Sequence, residues 1–400
     1  MIADSHPRRW HVLGLLAIAE LLAMSLWFSG TAVAPLLQAR WSLDAAQVGW
    51  LTSMVQLGFV VGTALAAILN LADLVPSRYY VAACATFGAG ANVLMLSTDG
   101  YATALMSRFF TGFFLAGVYP PAMKMAATWF RSGRGLAIGV IVGALTIGKA
   151  LPFLVKAFAW HEISPVIAAS SVFAIVGAAI IGIAYRDGPY PFSPRPFSWG
   201  LVGTVARVPR WRLATGGYLG HMFELYSFWT WIPAFLAASA LATGQPPNDR
   251  TLALTVFLVI AFGAVGCIWG GVAADRQGRE RVITIALAAS GSCALLSGMV
   301  FGLDLGFTAL LVAVWSFFVI ADSAQFSALV TESVPPHAVG TALTMQTCLG
   351  FLLTLISIQL VPPVVARAGW PTAFAMLALG PIAGIMAIRR LAGVRRVVQQ

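Results

Sequence analysis

The stretch Gly271-Val272-Ala273-Ala274-Asp275-Arg276-Gln277-Gly278-Arg279-Glu280-Arg281 is charged at five of its eleven positions, in a chain of 400 residues of which only 10% are charged. Apolar sequence flanks it on both sides, over 251–273 and 282–302. Each flank is close to the roughly 20 apolar residues that a helix needs to cross a bilayer. The stretch therefore predicts a short charged turn between two membrane-spanning helices.

The composition of the whole chain agrees with a membrane environment. Hydrophobic residues make up 59% of it and the mean hydropathy is +0.86, whereas a soluble domain is roughly a quarter charged. This excludes a soluble enzyme, a nucleic-acid-binding protein and a disordered scaffold. The four cysteines lie in apolar stretches without the spacing of a metal site or a disulfide framework, so we interpret them as packing residues.

Charged and Pro/Gly clusters divide the chain into twelve apolar stretches long enough to span a bilayer. Their limits are 11–37, 44–71, 79–97, 101–129, 135–158, 164–185, 213–240, 251–273, 282–302, 305–332, 338–363 and 370–390. The prediction is an all-α membrane protein of twelve transmembrane helices. Prolines between spans 6 and 7 predict an irregular loop. This gives an N-terminal six-helix bundle at 1–185, a cytoplasmic central loop at 186–212 and a C-terminal six-helix bundle at 213–400.

The distribution of Lys and Arg predicts the orientation in the membrane. Seventeen of the 24 lie in loops on the side of both termini, four lie on the other side and three lie inside spans. Cytoplasmic loops carry the excess of positive charge, so both termini are predicted to be cytoplasmic. The net charge of +10 is then a topology signal, and no nucleic-acid partner is expected. The first span is too long for a cleavable signal peptide.

Related signals recur in the two halves at a nearly constant offset, which indicates an internal duplication. The matched pairs are Asp73 and Asp275, Gly135 and Gly340, and Ser25 and Ser227, at offsets of 202, 205 and 202 residues.

These motifs resemble those of the major facilitator superfamily. Gly271 to Arg281 is similar to the family's signature loop in the pattern G-x-x-x-D-R-x-G-R-x-R. Arg108-Phe109-Phe110-Thr111-Gly112 is similar to its R-x-x-x-G pattern, and Trp129-Phe130 followed by Arg134-Gly135 also fits. The resemblance covers the whole chain and implies two pseudo-symmetric six-helix bundles around a central cavity that opens alternately to each side.

The resemblance also implies gating loops at the cytoplasmic side. Their predicted residues are Asp73, Arg78, Gly271, Asp275, Arg276, Gly278 and Arg279. Glycines permit close helix approach and a tight turn, and an acidic side chain is stabilised at the N-terminus of a neighbouring helix. The first-half loop departs from the family pattern, because Leu69, Leu74 and Pro76 stand where the family usually has Gly, a basic residue and Gly.

Ionisable side chains inside spans are candidates for function, because an unpaired charge in a bilayer is costly. There are seven: Glu20 in span 1, Arg108 and Lys124 in span 4, Lys149 in span 5, His221 and Glu224 in span 7, and Asp322 in span 10. Six of them lie on spans 1, 4, 7 and 10, which line the cavity in the resembled family.

We predict a division of roles among these groups. Lys149 and Arg108 attract an anionic substrate, since Arg can grip a carboxylate in bidentate fashion. The predicted proton-coupling residues are Glu224, Asp322, His221 and Glu20, and further substrate contacts are predicted at Tyr119, Tyr226, Trp229 and Gln325. Two alternatives stay open: Glu20 simply neutralises Lys124, or Lys124 extends to the cytoplasmic surface.

The sequence thus predicts a secondary active transporter that moves a small anionic solute, an organic acid or oxyanion, by alternating access and proton symport. Alternatives are proton-driven efflux of lipophilic or cationic compounds and a non-transporting membrane receptor. No Walker A loop, nucleophile–base set or metal cluster appears, so no enzymatic activity, catalytic residue, metal or cofactor is predicted. Expected partners are a small-molecule substrate, the proton and the lipid bilayer, for a functional monomer in a bacterial inner membrane.

Overall fold

The computed structural model describes residues 6–97, 99–130, 133–159, 162–190, 196–244 and 246–399. Every regular element in these ranges is a helix. Nine helices of the described residues are long and apolar enough to cross a membrane, and the ninth, Pro336–Val394, is long enough for two crossings. Two more apolar segments are each interrupted by a turn, so the arrangement is consistent with the twelve predicted spans.

Six helical segments form the first half. They are α1 (Arg9–Met24, Ser29–Ala32 and Ala34–Trp41), α2 (Ala45–Ile68), α3 (Ser77–Val93), α4 (Tyr101–Leu115 and Tyr119–Ala127), α5 (Arg134–Lys156) and α6 (Ser164–Ala184). The second half repeats this order. It contains α7 (Pro209–Ala242), α8 (Asp249–Gln277), α9 (Arg279–Val300), α10 (Leu305–Ala321 and Ser323–Ser333), α11 (339–368) and α12 (370–399, including Leu379–Gln399).

Single backbone positions separate two pairs of these helices. Gly369, with φ of 78° and ψ of 172°, divides α11 from α12. Gly278, with φ of 88°, forms the turn between α8 and α9. A positive φ is accessible to Gly without steric cost. The charged stretch that predicted a turn therefore belongs largely to the two helices, and the turn itself is one residue.

The central loop is more ordered than its prolines predicted. It contains a short helix, Trp199–Arg207, and α7 begins at Pro209 rather than at 213. Proline is tolerated in the first turn of a helix, where its missing N–H has no intrahelical acceptor. The Pro-rich residues 191–195 lie outside the described residues.

Three of the long segments are broken near their middles. The break in α4 at 116–118 precedes Pro120 and Pro121, as the prolines predict. The break in α1 at 25–28 was not predicted; Ser25 Oγ donates to the carbonyl oxygens of Leu22 and Ser170, at 2.7 and 3.1 Å. The break in α10 falls at Asp322 and was also not predicted. Such breaks leave backbone carbonyls that need partners.

The two ends of the molecule are distinguished by their connections. We call the end with the start of α1 and the α2–α3, α4–α5, α6–α7, α8–α9 and α10–α11 connections the terminal face. There, Trp129 Nε1 donates to Arg186 O at 3.1 Å, and Ser198 N donates to Thr341 Oγ1 at 2.9 Å. The other end is the opposite face.

The two halves contact each other along two seams. The α5–α8 seam runs from the terminal face inward: a Cβ at Gly271 would overlap the Gly135 carbonyl oxygen, and one at Gly143 would lie 3.2 Å from Ala264 O. The α2–α11 seam runs from the centre to the opposite face: Cys348 Sγ lies 3.9 Å from Val60 O, and a Cβ at Gly49 would lie 3.0 Å from the Gln359 side chain. Both seams reach the centre of the molecule.

Candidate substrate and coupling sites

Lys149 lies at the centre, where α5 crosses α1. A Cβ at Gly148 would overlap the carbonyl oxygen of Leu21, so the two backbones touch beside the lysine. The Lys149 side chain is 1% exposed. Its Nζ donates to Tyr226 Oη at 2.7 Å, which is a contact between the first and second halves.

Aromatic rings from both halves enclose this ammonium group. Lys149 Nζ lies 4.1 Å from the ring centroid of Trp27 and 4.6 Å from those of Tyr226 and Trp229. A cation over ring faces at this range is attracted by their quadrupoles, and the attraction grows when water is excluded. Tyr226 and Trp229 were predicted substrate contacts, whereas Trp27 was not singled out.

Two phenylalanines extend the enclosure on the side of the α2–α11 seam. Phe59 lies 5.1 Å from Trp27 and 4.5 Å from Phe351, and Phe351 lies 5.2 Å from Tyr226, measured between ring centroids. We call the five rings Trp27, Phe59, Tyr226, Trp229 and Phe351 the aromatic cage. No regular spacing in the sequence connects these residues, because they come from α1, α2, α7 and α11.

Glu20 is the acidic group associated with Lys149. It is 2% exposed on α1, next to the Leu21–Gly148 crossing, and it interacts electrostatically with Lys149. Glu20 Oε1 has no hydrogen-bond partner among the described residues and lines a cavity of about 10 Å³. The alternative in which Glu20 neutralises Lys124 is not what the structure shows: Lys124 Nζ lies 2.5 Å from Asp73 Oδ1.

Arg108 is placed inside the first half, away from Lys149. Its guanidinium donates to the carbonyl oxygens of Leu26 and Trp27, at 3.0 and 2.5 Å, where the break in α1 leaves them free. It also donates to Ser29 Oγ at 3.0 Å and to Asn92 Oδ1 at 2.8 Å, and it is 0% exposed. Four of its five N–H groups are thus directed at protein acceptors.

Glu224 occupies a comparable network inside the second half. Its Oε1 accepts from Trp315 Nε1 and its Oε2 from Ser290 Oγ, both at 2.8 Å. The carboxylate therefore joins α7 to α10 and α9, and it is 1% exposed. Sequence reasoning missed Trp315 and Ser290, since a tryptophan and a serine in apolar helices are ordinary packing residues.

His221 and Asp322 form the second buried acid–base pair of the described residues. His221 Nδ1 lies 2.9 Å from Asp322 Oδ1, and each side chain is 1% exposed. Asp322 is the residue at which α10 breaks, and the N–H of Gln325 donates to its carbonyl at 2.9 Å. Of the other predicted contacts, Gln325 is buried near this break and Tyr119 is half-buried at the start of the second part of α4.

The predicted gating residues lie at the terminal face in two different arrangements. In the second half, the Asp275 carboxylate lies against Gly135 in the first turn of α5: a Cβ there would be 2.6 Å from Oδ2. Arg276 is exposed. Arg279 Nη1 lies 3.4 Å from Glu332 Oε1.

In the first half, the signature-type contact to the other half is replaced by a local one. Asp73 pairs with Lys124 of α4, and Arg78 Nη2 donates to Tyr79 Oη at 2.6 Å. This matches the departure of the first-half loop from the sequence pattern.

The structure has two pseudo-symmetric helical halves, and a buried lysine enclosed by aromatic rings lies between them. This is the arrangement of a multi-pass membrane transporter. The family model of the Major Facilitator Superfamily matches residues 15–358, and the chain belongs to this family.

One solved structure and one curated protein illustrate what this chain is similar to. The crystal structure of a bacterial homolog to the human lysosomal transporter Spinster, in an inward-facing and occupied conformation, matches with a TM-score of 0.65 at 16% identity. The match covers 97% of this chain and 96% of that one, which establishes a shared fold. The agnestins efflux protein AgnL12 of Paecilomyces divaricatus is 27% identical over 204 residues, 50% of this chain and 45% of that protein. The match thus spans less than half of this curated relative.

Proposed function

We propose that this transporter moves a small organic anion by alternating access, with Lys149 as the anion-binding group. The observation that carries the proposal is the position of Lys149: a cation between the two halves, in contact with rings of both. A substrate carboxylate there would contact both halves at once, as alternating access requires. The aromatic cage favours an anion with an apolar or aromatic body over an inorganic oxyanion.

Arg108 has a different part in this proposal from the one the sequence suggested. Because four of its donors are directed at protein acceptors, binding a substrate would require breaking a buried network. We assign it to holding the break in α1 that carries Trp27, so that it acts on the site through the cage.

Proton symport is the proposed coupling. Glu20 supports it because Lys149 has a single charge, which cannot neutralise both Glu20 and a substrate anion in a buried site. His221–Asp322 and Glu224 are the other proposed proton-binding groups. The positive charge of the terminal-face loops supports a cytoplasmic terminal face, and we propose a monomer in a bacterial inner membrane.

Counterflow in proteoliposomes tests the function. Proteoliposomes that contain the wild-type protein and are loaded with an unlabelled aromatic carboxylate should accumulate the labelled acid. A proton gradient directed into the vesicles should increase net uptake. The absence of exchange for every carboxylate tested would refute the proposal.

A second candidate is proton-driven efflux of lipophilic or cationic compounds. The name of the relative from Paecilomyces divaricatus favours export, and the aromatic cage suits a lipophilic molecule. Dye efflux that does not depend on Lys149, together with no carboxylate exchange, would favour this candidate.

A further inference from the structure

The Gln56 side chain is buried without a hydrogen-bond partner at the boundary between the two halves. It is 0% exposed, and in the part of the chain that the structure describes neither Oε1 nor Nε2 has a partner. Leaving a buried polar group unpaired costs about 1–3 kcal/mol. Such a group in a native structure calls for an explanation, and a ligand contact is one.

The neighbours of Gln56 along α2 show which way its side chain faces. The Ser53 hydroxyl and the Gln359 side-chain amide are hydrogen-bonded at 3.3 Å, and Val60 O lies 3.9 Å from Cys348 Sγ. Residues three or four apart share one face of a helix. Gln56 therefore lies on the α2 face that packs against α11, between these two contacts.

The same turn of α2 connects Gln56 to the aromatic cage. Phe59, three residues further on, contacts Trp27 and Phe351, with ring centroids at 5.1 and 4.5 Å. Lys149 Nζ lies over the Trp27 ring at 4.1 Å. The rings thus extend from a buried ammonium group to the turn of α2 that carries the buried, unpaired amide.

We propose that Gln56 binds a neutral hydroxyl or carbonyl group of the substrate while Lys149 binds its carboxylate. The substrate class is then an organic acid with an aromatic or aliphatic body and a hydrogen-bonding group remote from the acid. This rests on the proposed function, since it needs an anion at Lys149. Trp27 Nε1, which is also buried and without a partner among the described residues, is a second unpaired donor, on a ring of the cage.

An amide is suited to a hydroxyl group because it can donate and accept at once. A hydroxylated acid satisfies the Gln56 amide, whereas the acid without the hydroxyl leaves it unpaired in the complex. Sites built to hydrogen-bond a substrate group discriminate strongly against the analogue that lacks it. The site therefore selects the oxygenated acid.

The test is competition counterflow with the full chain in proteoliposomes. The probes are 3-phenylpropanoate and its three ring-hydroxylated isomers. For wild type, at least one hydroxylated isomer should compete about tenfold better than the parent acid, the effect of one net hydrogen bond. In Gln56→Leu that preference should disappear because the hydroxylated acid competes more weakly, while the parent acid competes as before.

Gln359→Leu is the matched control, because the Gln359 amide lies in the same seam and is bonded to Ser53. It should retain the preference. Thermal unfolding without substrate separates ligand binding from folding: Gln56→Leu should unfold at the same or a higher temperature than wild type, since Leu removes an unpaired amide.

The outcomes distinguish the two proposals. Exchange of all four acids with no preference in wild type, or with the same preference in Gln56→Leu, overturns the role of Gln56 and leaves the anion transporter intact. If Gln56→Leu loses the preference, unfolds at a lower temperature and is also inhibited more weakly by the parent acid, the role of Gln56 in binding is overturned in favour of a packing role. No exchange of any of the four acids by wild type overturns the proposed function, and with it this inference.

Discussion

His221 Nδ1 and Asp322 Oδ1 lie 2.9 Å apart across the point at which α10 breaks. Both side chains are 1% exposed, and His221 Nε2 and both carboxylate oxygens of Asp322 have no hydrogen-bond partner among the described residues. These atoms are thus available to a proton or a water molecule. Because a buried acid and base lie side by side here, this pair is one of the groups that we propose for the transported proton.

Asp322→Asn is expected to uncouple transport from the proton gradient. The amide keeps the shape of the carboxylate but cannot take up the proton, so accumulation driven by an inward pH gradient should fall to equilibrium while substrate exchange continues. Uptake with an imposed gradient and counterflow without one measure the two activities separately. Asp99→Asn, at an exposed position of the opposite face, is the control and should behave as wild type. Full gradient-driven accumulation by Asp322→Asn would refute the role of the pair.

Lys149→Met is expected to remove anion binding. Truncating one member of a buried, hydrogen-bonded charge pair costs about 2–5 kcal/mol, so the Kd for an aromatic carboxylate should rise about 30-fold or more. Isothermal calorimetry in detergent measures the affinity directly. Lys156→Met, at the last residue of the same helix, should bind as wild type. Equal affinities for Lys149→Met and wild type would show that the anion binds elsewhere.

The break in α4 and the break in α1 show what the sequence could and could not predict. Pro120 and Pro121 cannot donate to the helical ladder, so the break before them followed from the residues alone. The break in α1 falls where Arg108, on another helix, donates to the carbonyl oxygens of Leu26 and Trp27. A contact between residues 81 or 82 positions apart leaves no periodic signal.

The same distinction applies to the candidate site. The buried ionisable residues were recognisable because charges are rare inside apolar spans, yet their partners were not. Counted along the sequence, Lys124 lies at a depth similar to that of Glu20, but the structure pairs it with Asp73. The half-helix after the α4 break carries Lys124 toward the terminal face, and depth along a straight helix does not describe that path.

Arg108→Met is expected to destabilise the first half more than it changes substrate selectivity. Removing the guanidinium takes away the hydrogen bonds that it donates to Ser29, Asn92 and two backbone carbonyls. Each buried acceptor that is left unpaired costs about 1–3 kcal/mol, which should appear as a fall in the thermal unfolding temperature in detergent. If Arg108→Met unfolds at the same temperature as wild type and loses only substrate affinity, Arg108 contacts the substrate instead.

Gly271→Val is expected to open the α5–α8 seam at the terminal face. A Cβ at Gly271 would overlap the backbone oxygen of Gly135, and because backbone atoms cannot turn aside as a side chain does, the two helices must separate. Spin labels at the exposed positions 134 and 277 should therefore show a distance distribution shifted to longer values. Gly14→Ala is the matched control, since a Cβ there meets no atom within 4 Å. An unchanged distribution in Gly271→Val would mean that the seam already separates without the substitution, and that glycine at this position does not hold it closed.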